Sequence, residues 1–519
     1  KAEIMTDIAG NRTLSSQWNE TVQFYGNQNF LEYISVDDQL TSYTYSEFHY
    51  RVIQTANWFH SLGIRKGELV ALHLHNSPEY LMCWLALAQI GAVSVPLNEH
   101  YRLQESKFVL QKCDIHRIIV EPSSLPIYQS NKEDLLLSTI ILAWGECPDP
   151  DILSLSASSF FDGSRLDESC EILPEDTAVI LFTSGTTQYP KGVIYTHCNV
   201  VYGGIIHMQQ IGMCPGDRFL SCMPCYHMDF QEMAAMSVIV AGGTLIMVEH
   251  YSAHKFWKQI CDTKANFTDT MSIMNRTLML QPVQPWEQDH CLKQVYFSMG
   301  LSTEEKDEFE RRFHVQFLNS YGMTETISAV TCSPISGDKN WPSVGRAALS
   351  YDIKIIDCDG KEVAPGKTGE ICVHGIPGRS LTPGYYNDPG ATECLLDKDG
   401  WLHSGDRGYI DEAGWLFFID RWGNMIKRSG ENISSLEVEC VLTSHPKIAD
   451  AAVIGIPDPI RNQAVKAFIQ FADGESLTIA ELEQYCSDRL SKFKVPTFWQ
   501  FVDDFPRTAT GKIKKKELK

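Results

Sequence analysis

A chain of 519 residues with 44 % hydrophobic and 21 % charged side chains has the make-up of a folded protein of about three structural units, which excludes a disordered or fibrous polypeptide. The formal net charge of −21 excludes a global field that would gather nucleic acid or an anionic membrane, so any polyanionic ligand must be held by a local site of backbone amides, a metal or a few placed cations. Sixteen cysteines lie scattered, mostly in apolar runs, and Cys222-x-x-Cys225 has no second pair at zinc-ribbon spacing, so buried thiols are expected rather than a disulfide scaffold or metal knuckle.

In chain order, Thr44-Tyr45-Ser46-Glu47 has the form of a capping box, and Phe48, Val52, Ala56 and Phe59 follow at helical spacing up to Gly63. Leu69–Leu74 reads as a strand, Tyr80–Ile90 as a helix and Ala92–Pro96 as a second strand. This alternation predicts an α/β fold with a largely parallel sheet. The longest apolar stretches, Tyr80–Leu97 and Met233–Val248, are broken by Gly91 and by Gly242-Gly243. Neither exceeds the ~20 residues of a membrane span, and no secretory signal is visible, so a cytoplasmic protein is expected.

From Thr177 an apolar strand runs into Thr183-Ser184-Gly185-Thr186-Thr187, then Pro190-Lys191-Gly192 and a second strand-like run, Val193–Thr196. Gly185 lets backbone amides converge, the hydroxyls add donors and Lys191 adds a charge, a set suited to phosphate oxygens. The spacing is not that of a Walker-type P-loop: the second Gly and the hydroxyl after the Lys are missing. Beyond residue 345, Asp352–Ile356, Gly369–His374 and Trp415–Ile419 alternate with Gly/Pro/Asp turns and predict a β-rich subdomain over about 345–420. Mixed α and β character returns with Leu436–Leu442, Ala451–Ile456 and Thr478–Leu490, before a basic tail. A boundary near Trp422-Gly423-Asn424 divides a large domain, 1–422, from a small α+β domain, 423–519, with Gly423 supplying the freedom of a hinge.

T-S-G-T-T-x-x-P-K-G resembles the signature of the adenylate-forming superfamily of acyl-CoA synthetases, adenylation domains and luciferases. Further landmarks follow in order: Met223-Pro-Cys-Tyr-His227, Ser320-Tyr-Gly-Met-Thr-Glu325, Ser404-Gly-Asp406, Asp420-Arg421, Ile426–Ile433 and Pro506-Arg507-Thr508 through Gly511-Lys512. The resemblance implies an AMP-forming acid–thiol ligase using ATP, Mg²⁺ and CoA, whose small domain is mobile. It places Thr183, Ser184, Gly185, Thr186, Thr187 and Lys191 around the phosphates, with Glu325 on Mg²⁺ assisted by Thr183 or Thr186. Ser320, Tyr321, Gly322 and Thr324 belong to the nucleotide-binding run, with Tyr321 on adenine, and Asp406 with Arg421 serves the ribose. Lys512 bridges the attacking carboxylate and the α-phosphate. His227 acts as a gate for the thiol, and Lys427, Gly430 and Glu431 belong to the loop lining the pantetheine tunnel. Two positions depart from the pattern: Gly423 stands where Asp or Lys is usual at the hinge, and Ser429-Gly430-Glu431-Asn432 replaces G-G-E-N.

The acid pocket is expected between the His227 and Tyr321 elements, at Asp229, Phe230, Met299 and Gly300. Met299 would shorten it against a fatty acid. Asp229 could pair with a cationic substrate and Phe230 could add cation–π attraction, or Asp229 could instead cap a helix. The runs His227-Met-Asp, Tyr251-Ser-Ala-His and Arg461-Asn-Gln-Ala-Val-Lys-Ala-Phe are similar to those of bacterial crotonobetaine/carnitine–CoA ligases, which implies an acid of the crotonobetaine, carnitine or γ-butyrobetaine type. The alternative is another small or medium acid loaded onto CoA or onto a carrier-protein thiol.

Overall fold

The computed structural model describes residues 7–518 apart from 184–189, 299, 422–425, 429–430, 459–461, 491 and 509–510. The capping box forms as read: Thr44 accepts from the Glu47 amide, Glu47 accepts from the Thr44 amide, and the helix Tyr45–Ser61 buries Phe48, Val52, Ala56 and Phe59. Gly63 follows its end at φ +85, a left-handed turn that returns the chain to the sheet.

Among the described residues the strands form four sheets. A seven-stranded sheet runs in the order Ile152–Ser154, Thr139–Leu142, Arg117–Val120, Leu69–His73, Val93–Pro96, Thr177–Thr183, Lys191–Thr196. It is parallel except for the last pair, an antiparallel hairpin in which Thr183 faces Lys191. A nine-stranded sheet has a parallel centre of Asn29–Ile34, Thr244–Val248, Arg218–Ser221, Phe267–Met271, Gln294–Ser298 and Phe317–Gly322. Its central strands are buried on both faces, as Thr244–Val248 shows throughout, because helices such as His197–Ile211 cover them.

The β-rich region is a four-stranded antiparallel sheet of Asp352–Ile356, Gly369–His374, Trp401–Ile410 and Leu416–Arg421. Its third strand is interrupted by Gly405 and Gly408 and carries no clear alternation, so only its neighbours were legible as strands. The remaining sheet pairs Ile448–Asp458 with Asn462–Phe471 and adds Ile426–Arg428, Glu431–Ile433 and Phe498–Phe501. The helices Ser435–Thr443 and Ile479–Ser487 pack on it, burying Val438, Leu442, Leu482 and Cys486.

The two sheets of the large region meet near Asn76, whose side-chain amide donates to the carbonyls of Met223 and Val248 at 2.9 and 3.0 Å. No helix among the described residues is long and apolar enough to cross a membrane. Cys222 and Cys225 are buried free thiols, in keeping with the packing role expected of them.

Candidate active site

The phosphate-loop hairpin does not stand alone. Its second strand is extended by the segment after Leu381: Val193 bridges Tyr385, the Ile194 amide donates to Gly384 O and the Tyr386 amide to Gly192 O. This strand addition sets Tyr385 between two of the expected site residues. Its hydroxyl donates to Oε1 of Glu325 at 2.7 Å, and the Lys191 ammonium lies 4.8 Å from its ring centroid. Glu325 is buried on the short 3₁₀ turn Thr324–Thr326, and its carbonyl accepts from the Thr382 amide. Thr324 is fixed through its own carbonyl, which accepts from the Tyr195 hydroxyl at 2.6 Å.

Tyr385 was missed in the sequence because it lies 60 residues from Glu325 and carries no spacing that ties it to the loop. The carboxylate oxygens of Glu325 and the hydroxyl of Thr183 are hard donors of the kind Mg²⁺ takes. Tyr385 engages one Glu325 oxygen and holds the group in place for such an ion. Ser184, Gly185, Thr186 and Thr187 lie outside the described residues.

Tyr321 and Asp406 meet directly. The Tyr321 hydroxyl donates to Oδ2 of Asp406 at 2.8 Å, and one face of its ring stacks on Phe418 at 5.7 Å. Asp406 faces Arg421 in the antiparallel register of the four-stranded sheet. Ser320 is buried and its hydroxyl donates to the Phe297 carbonyl, so its side chain is engaged within the sheet rather than turned to a ligand. Gly322 is required by crowding: a Cβ there would stand 2.7 Å from Ser328 O and 2.8 Å from Ala329 Cα.

Lys512 is carried on a closed turn. The Thr508 amide donates to Lys512 O at 2.7 Å, and the Lys512 amide to the Thr508 hydroxyl at 3.1 Å. Arg507 braces the turn through Gly511 O at 3.1 Å and Asp450 at 2.7 Å. Asp450 also faces Arg276 of the large region at 3.7 Å, and Arg276 in turn donates to the Thr443 hydroxyl at 3.0 Å and pairs with Glu305 at 2.7 Å. At Gly511, φ +76, a Cβ would lie 3.3 Å from Ile273, which seats the turn against the helix Ser272–Met279. The chain Arg276–Asp450–Arg507–Gly511 thus spans the seam between the large region and the C-terminal sheet and ends at Lys512.

At the acid side, the His227 ring lies 3.1 Å from Oδ2 of Asp229. Burial pushes the Asp229 carboxyl up, but the His227 ring and the Lys512 ammonium outweigh it and hold the group below the usual carboxylate range. Asp229 occupies the first turn of a π-helix, Asp229–Met236, preceded by Met228, and its carboxylate serves the His227 ring rather than capping the helix. About 27 % of its side chain remains accessible, which leaves it reachable by a ligand.

Phe230 corrects an expectation: it is 0 % exposed, and its ring is spent in the core instead of offering a face to a cation. Gly300 accepts at its carbonyl from the Ser272 hydroxyl at 2.9 Å. A Cβ there would meet Leu436 at 3.2 Å and Cys440 at 3.3 Å, both on the helix Ser435–Thr443, so the position faces the C-terminal region. Met299 and Gly430 lie outside the described residues. Lys427 lies in the strand Ile426–Arg428, opposite Asn432, and Glu431 lies opposite Arg428 in the short hairpin that follows.

The structure thus sets the hairpin beside the buried Glu325, pairs Tyr321 with Asp406 across adjoining sheets and carries Lys512 on a braced turn. The family model for the AMP-binding enzyme matches residues 20–386, and that for the AMP-binding enzyme C-terminal domain matches 437–512. The chain belongs to the AMP-binding enzyme family and, within it, to the AMP-forming acyl-CoA synthetases. It is 41 % identical over 516 residues to proteins named crotonobetaine/carnitine–CoA ligase from Salmonella paratyphi A and from Proteus mirabilis, covering 99 % of this chain and 100 % of each relative.

Among solved structures, the anthranilate CoA ligase AuaEII in complex with anthranoyl-AMP matches with a TM-score of 0.89 at 22 % identity, covering 98 % of this chain and 96 % of that one. ATP-bound MatB from Rhodopseudomonas palustris matches with a TM-score of 0.85 at 24 % identity, covering 98 % of each. These likenesses establish the shared fold.

Proposed function

We propose that the acid activated by this ligase is of the betaine type, with a carboxylate at one end and a quaternary ammonium at the other, held between Lys512 and Asp229. The observation that carries this reading is the accessible Asp229 carboxylate, kept ionised beside His227 and within electrostatic reach of Lys512. A short zwitterion presents the complementary charges, its carboxylate toward Lys512 and its ammonium toward Asp229. The curated relatives named above, alike over their full length, point to the same substrate class.

In the first half-reaction the acid's oxygen attacks the α-phosphorus of ATP and pyrophosphate leaves, giving acyl-AMP. In the second, the CoA sulfur attacks the acyl carbonyl and AMP leaves. The protein's task in the first half is to bring two anions together, which is positioning plus electrostatics. Lys191 and Lys512 supply cations at the two ends of the phosphate run. Tyr321 and Asp406 hold the nucleoside, with Arg421 beside Asp406 in the sheet. Mg²⁺, when bound, neutralises phosphate oxygens, and Glu325 with Thr183 would hold it.

After adenylation the small domain turns about Gly423, withdrawing Lys512 and presenting the 427–432 hairpin to the thiol, with His227 as gate. A cytoplasmic setting fits the 16 free cysteines, several of them exposed.

The contact between Asp229 and His227 supports a second reading, in which Asp229 only orients the gate. CoA-dependent AMP release on γ-butyrobetaine and on its uncharged tert-butyl carbon analogue separates the two. Asp229→Asn is expected to lower kcat/KM at least tenfold on the betaine and to leave the analogue unchanged or improved. Equal loss on both assigns Asp229 to positioning His227. An enzyme that prefers the uncharged analogue from the start overturns the substrate class.

A further inference from the structure

A second constellation of ionisable groups lies apart from the adenylating residues, where the seven- and nine-stranded sheets meet. His75 follows the strand Leu69–His73, Glu99 follows Val93–Pro96, Glu121 follows Arg117–Val120, and Glu249 with His250 follows Thr244–Val248. All these strands are parallel members of their sheets, so their carboxyl ends deliver the five side chains to one place. One ligand atom from each of His75, Glu99 and His250 lies within 4.8 Å of the others. Oε1 of Glu249 stands 3.6 Å from Nε2 of His75 and 3.8 Å from Nε2 of His250.

The orientation of His75 is set from behind. Its Nδ1 lies 2.6 Å from Oε2 of Glu121, which also accepts from the His75 amide at 2.9 Å, while the Ser123 hydroxyl donates to the other Glu121 oxygen. A carboxylate that takes Nδ1–H leaves the Nε2 lone pair facing forward, the arrangement that orients metal-ligating histidines. Glu249 is oriented in the same way: its Oε2 accepts from the Tyr33 hydroxyl at 2.7 Å and the Val36 amide at 3.0 Å, which turns Oε1 toward the two imidazoles.

Three carboxylates converge on the imidazoles of His75 and His250, with the His100 ring 3.9 Å from Glu99, and among the described residues no lysine or arginine lies within ion-pair distance of Glu99, Glu121 or Glu249. The side chains of His75, Glu99, Glu121 and Glu249 are largely buried, and His250, 46 % exposed, leaves the cluster open to solvent on one side.

We propose that His75, Glu99, Glu249 and His250 form a binding site for one divalent transition cation of the zinc type, with Glu121 as the carboxylate that orients His75. Two imidazole nitrogens and two carboxylate oxygens suit such an ion better than they suit Mg²⁺ or Ca²⁺, which take oxygen alone. Tetrahedral bonds of ~2.0–2.1 Å place donor atoms about 3.3 Å apart, so the observed separations close with side-chain torsions alone. A bound ion would tie the ends of the two sheets together beside Asn76, the residue that already fastens Met223 of the His227 loop to Val248.

The test uses the full chain without nucleotide or acid, stripped with chelator and titrated with Zn²⁺ alone. Metal content after dialysis and the thermal unfolding midpoint are the two readouts. The wild type is expected to retain one equivalent with a rise in midpoint. His250→Ala, at an exposed position that folding tolerates, and Glu99→Gln are each expected to weaken binding at least tenfold and to abolish the rise. His403→Ala, which disturbs the separate grouping of Glu370, Cys372 and His403, is expected to change neither. No retained equivalent in the wild type overturns the site, and so does binding that survives both variants or is lost only with His403→Ala. Because no readout depends on turnover, failure here leaves the substrate proposal untouched.

Discussion

The hydroxyl of Tyr385 donates to Oε1 of Glu325 at 2.7 Å, joining the strand that extends the phosphate hairpin to the acid expected to carry the metal. A hydrogen bond to a charged group contributes ~1.5–3 kcal/mol. Tyr385→Phe keeps the ring under Lys191 and removes only the donor. It is expected to lower kcat/KM for MgATP roughly tenfold or more, on that scale, with thioester formation from supplied acyl-AMP unaffected. Loss of the thioester half as well would show that Tyr385 acts on the fold rather than on Glu325.

Lys512 is delivered by a turn braced through Arg507 and Asp450. Lys512→Ala should slow adenylation by roughly a hundredfold or more, the scale for removing a placed charge from a phosphoryl- or acyl-transfer centre. Acyl-AMP supplied from outside should still become thioester at close to the normal rate. Single-turnover assays of the two halves check this, and equal loss in both would refute the division of roles.

Arg276 reaches across the seam to Thr443 and Asp450 while pairing with Glu305. Arg276→Ala should loosen the seating of the small domain seen here, so adenylation should fall several-fold more than thioester formation does. Faster limited proteolysis that releases the C-terminal region is the independent readout. Unchanged proteolysis together with unchanged partitioning would remove Arg276 from the seam's energetics.

Asp269 lies in the middle of the nine-stranded sheet, where burial pushes its carboxyl up to about 8; Ser221 Oγ, donating to its Oδ2 at 2.9 Å, counters this in part and the Asp229 charge adds to it. An unfolded aspartate titrates near ~3.9. Between those values the folded chain holds a proton that the unfolded chain has lost, so this group's contribution to stability falls as pH rises from about 4 to about 8. Asp269→Asn, whose amide oxygen can still accept from Ser221, should flatten that slope, so its stability relative to the wild type should be higher at pH 8 than at pH 5. Denaturant midpoints of both proteins at pH 5 and pH 8 decide it, and parallel pH dependences would contradict it.

The fold class and most of the phosphate, nucleotide and lysine elements were legible because they are local. Strand Thr177–Thr183 and the hairpin after it announce themselves by apolar run and turn chemistry. What stayed hidden is what sheets assemble from afar. The Tyr321–Asp406 bond joins residues 85 apart through two different sheets, and no periodicity encodes that meeting. Phe230 was misread for a related reason: an aromatic beside a site residue faces either cavity or core, and only the packing of the π-helix Asp229–Met236 against its neighbours decides which. The helix-cap reading of Asp229 turned on whether the helix begins before or after it, a one-residue question that sequence pattern does not resolve.

Gly300 has a consequence for the timing of the reaction. A methyl group at position 300 would stand 3.2 Å from Leu436 and 3.3 Å from Cys440, so it would crowd the contact between the large region and the C-terminal helix. Alanine there would press on the contact between the large region and the helix Ser435–Thr443, so under the domain rotation proposed above the position bears on the share of each turnover spent closed over ATP.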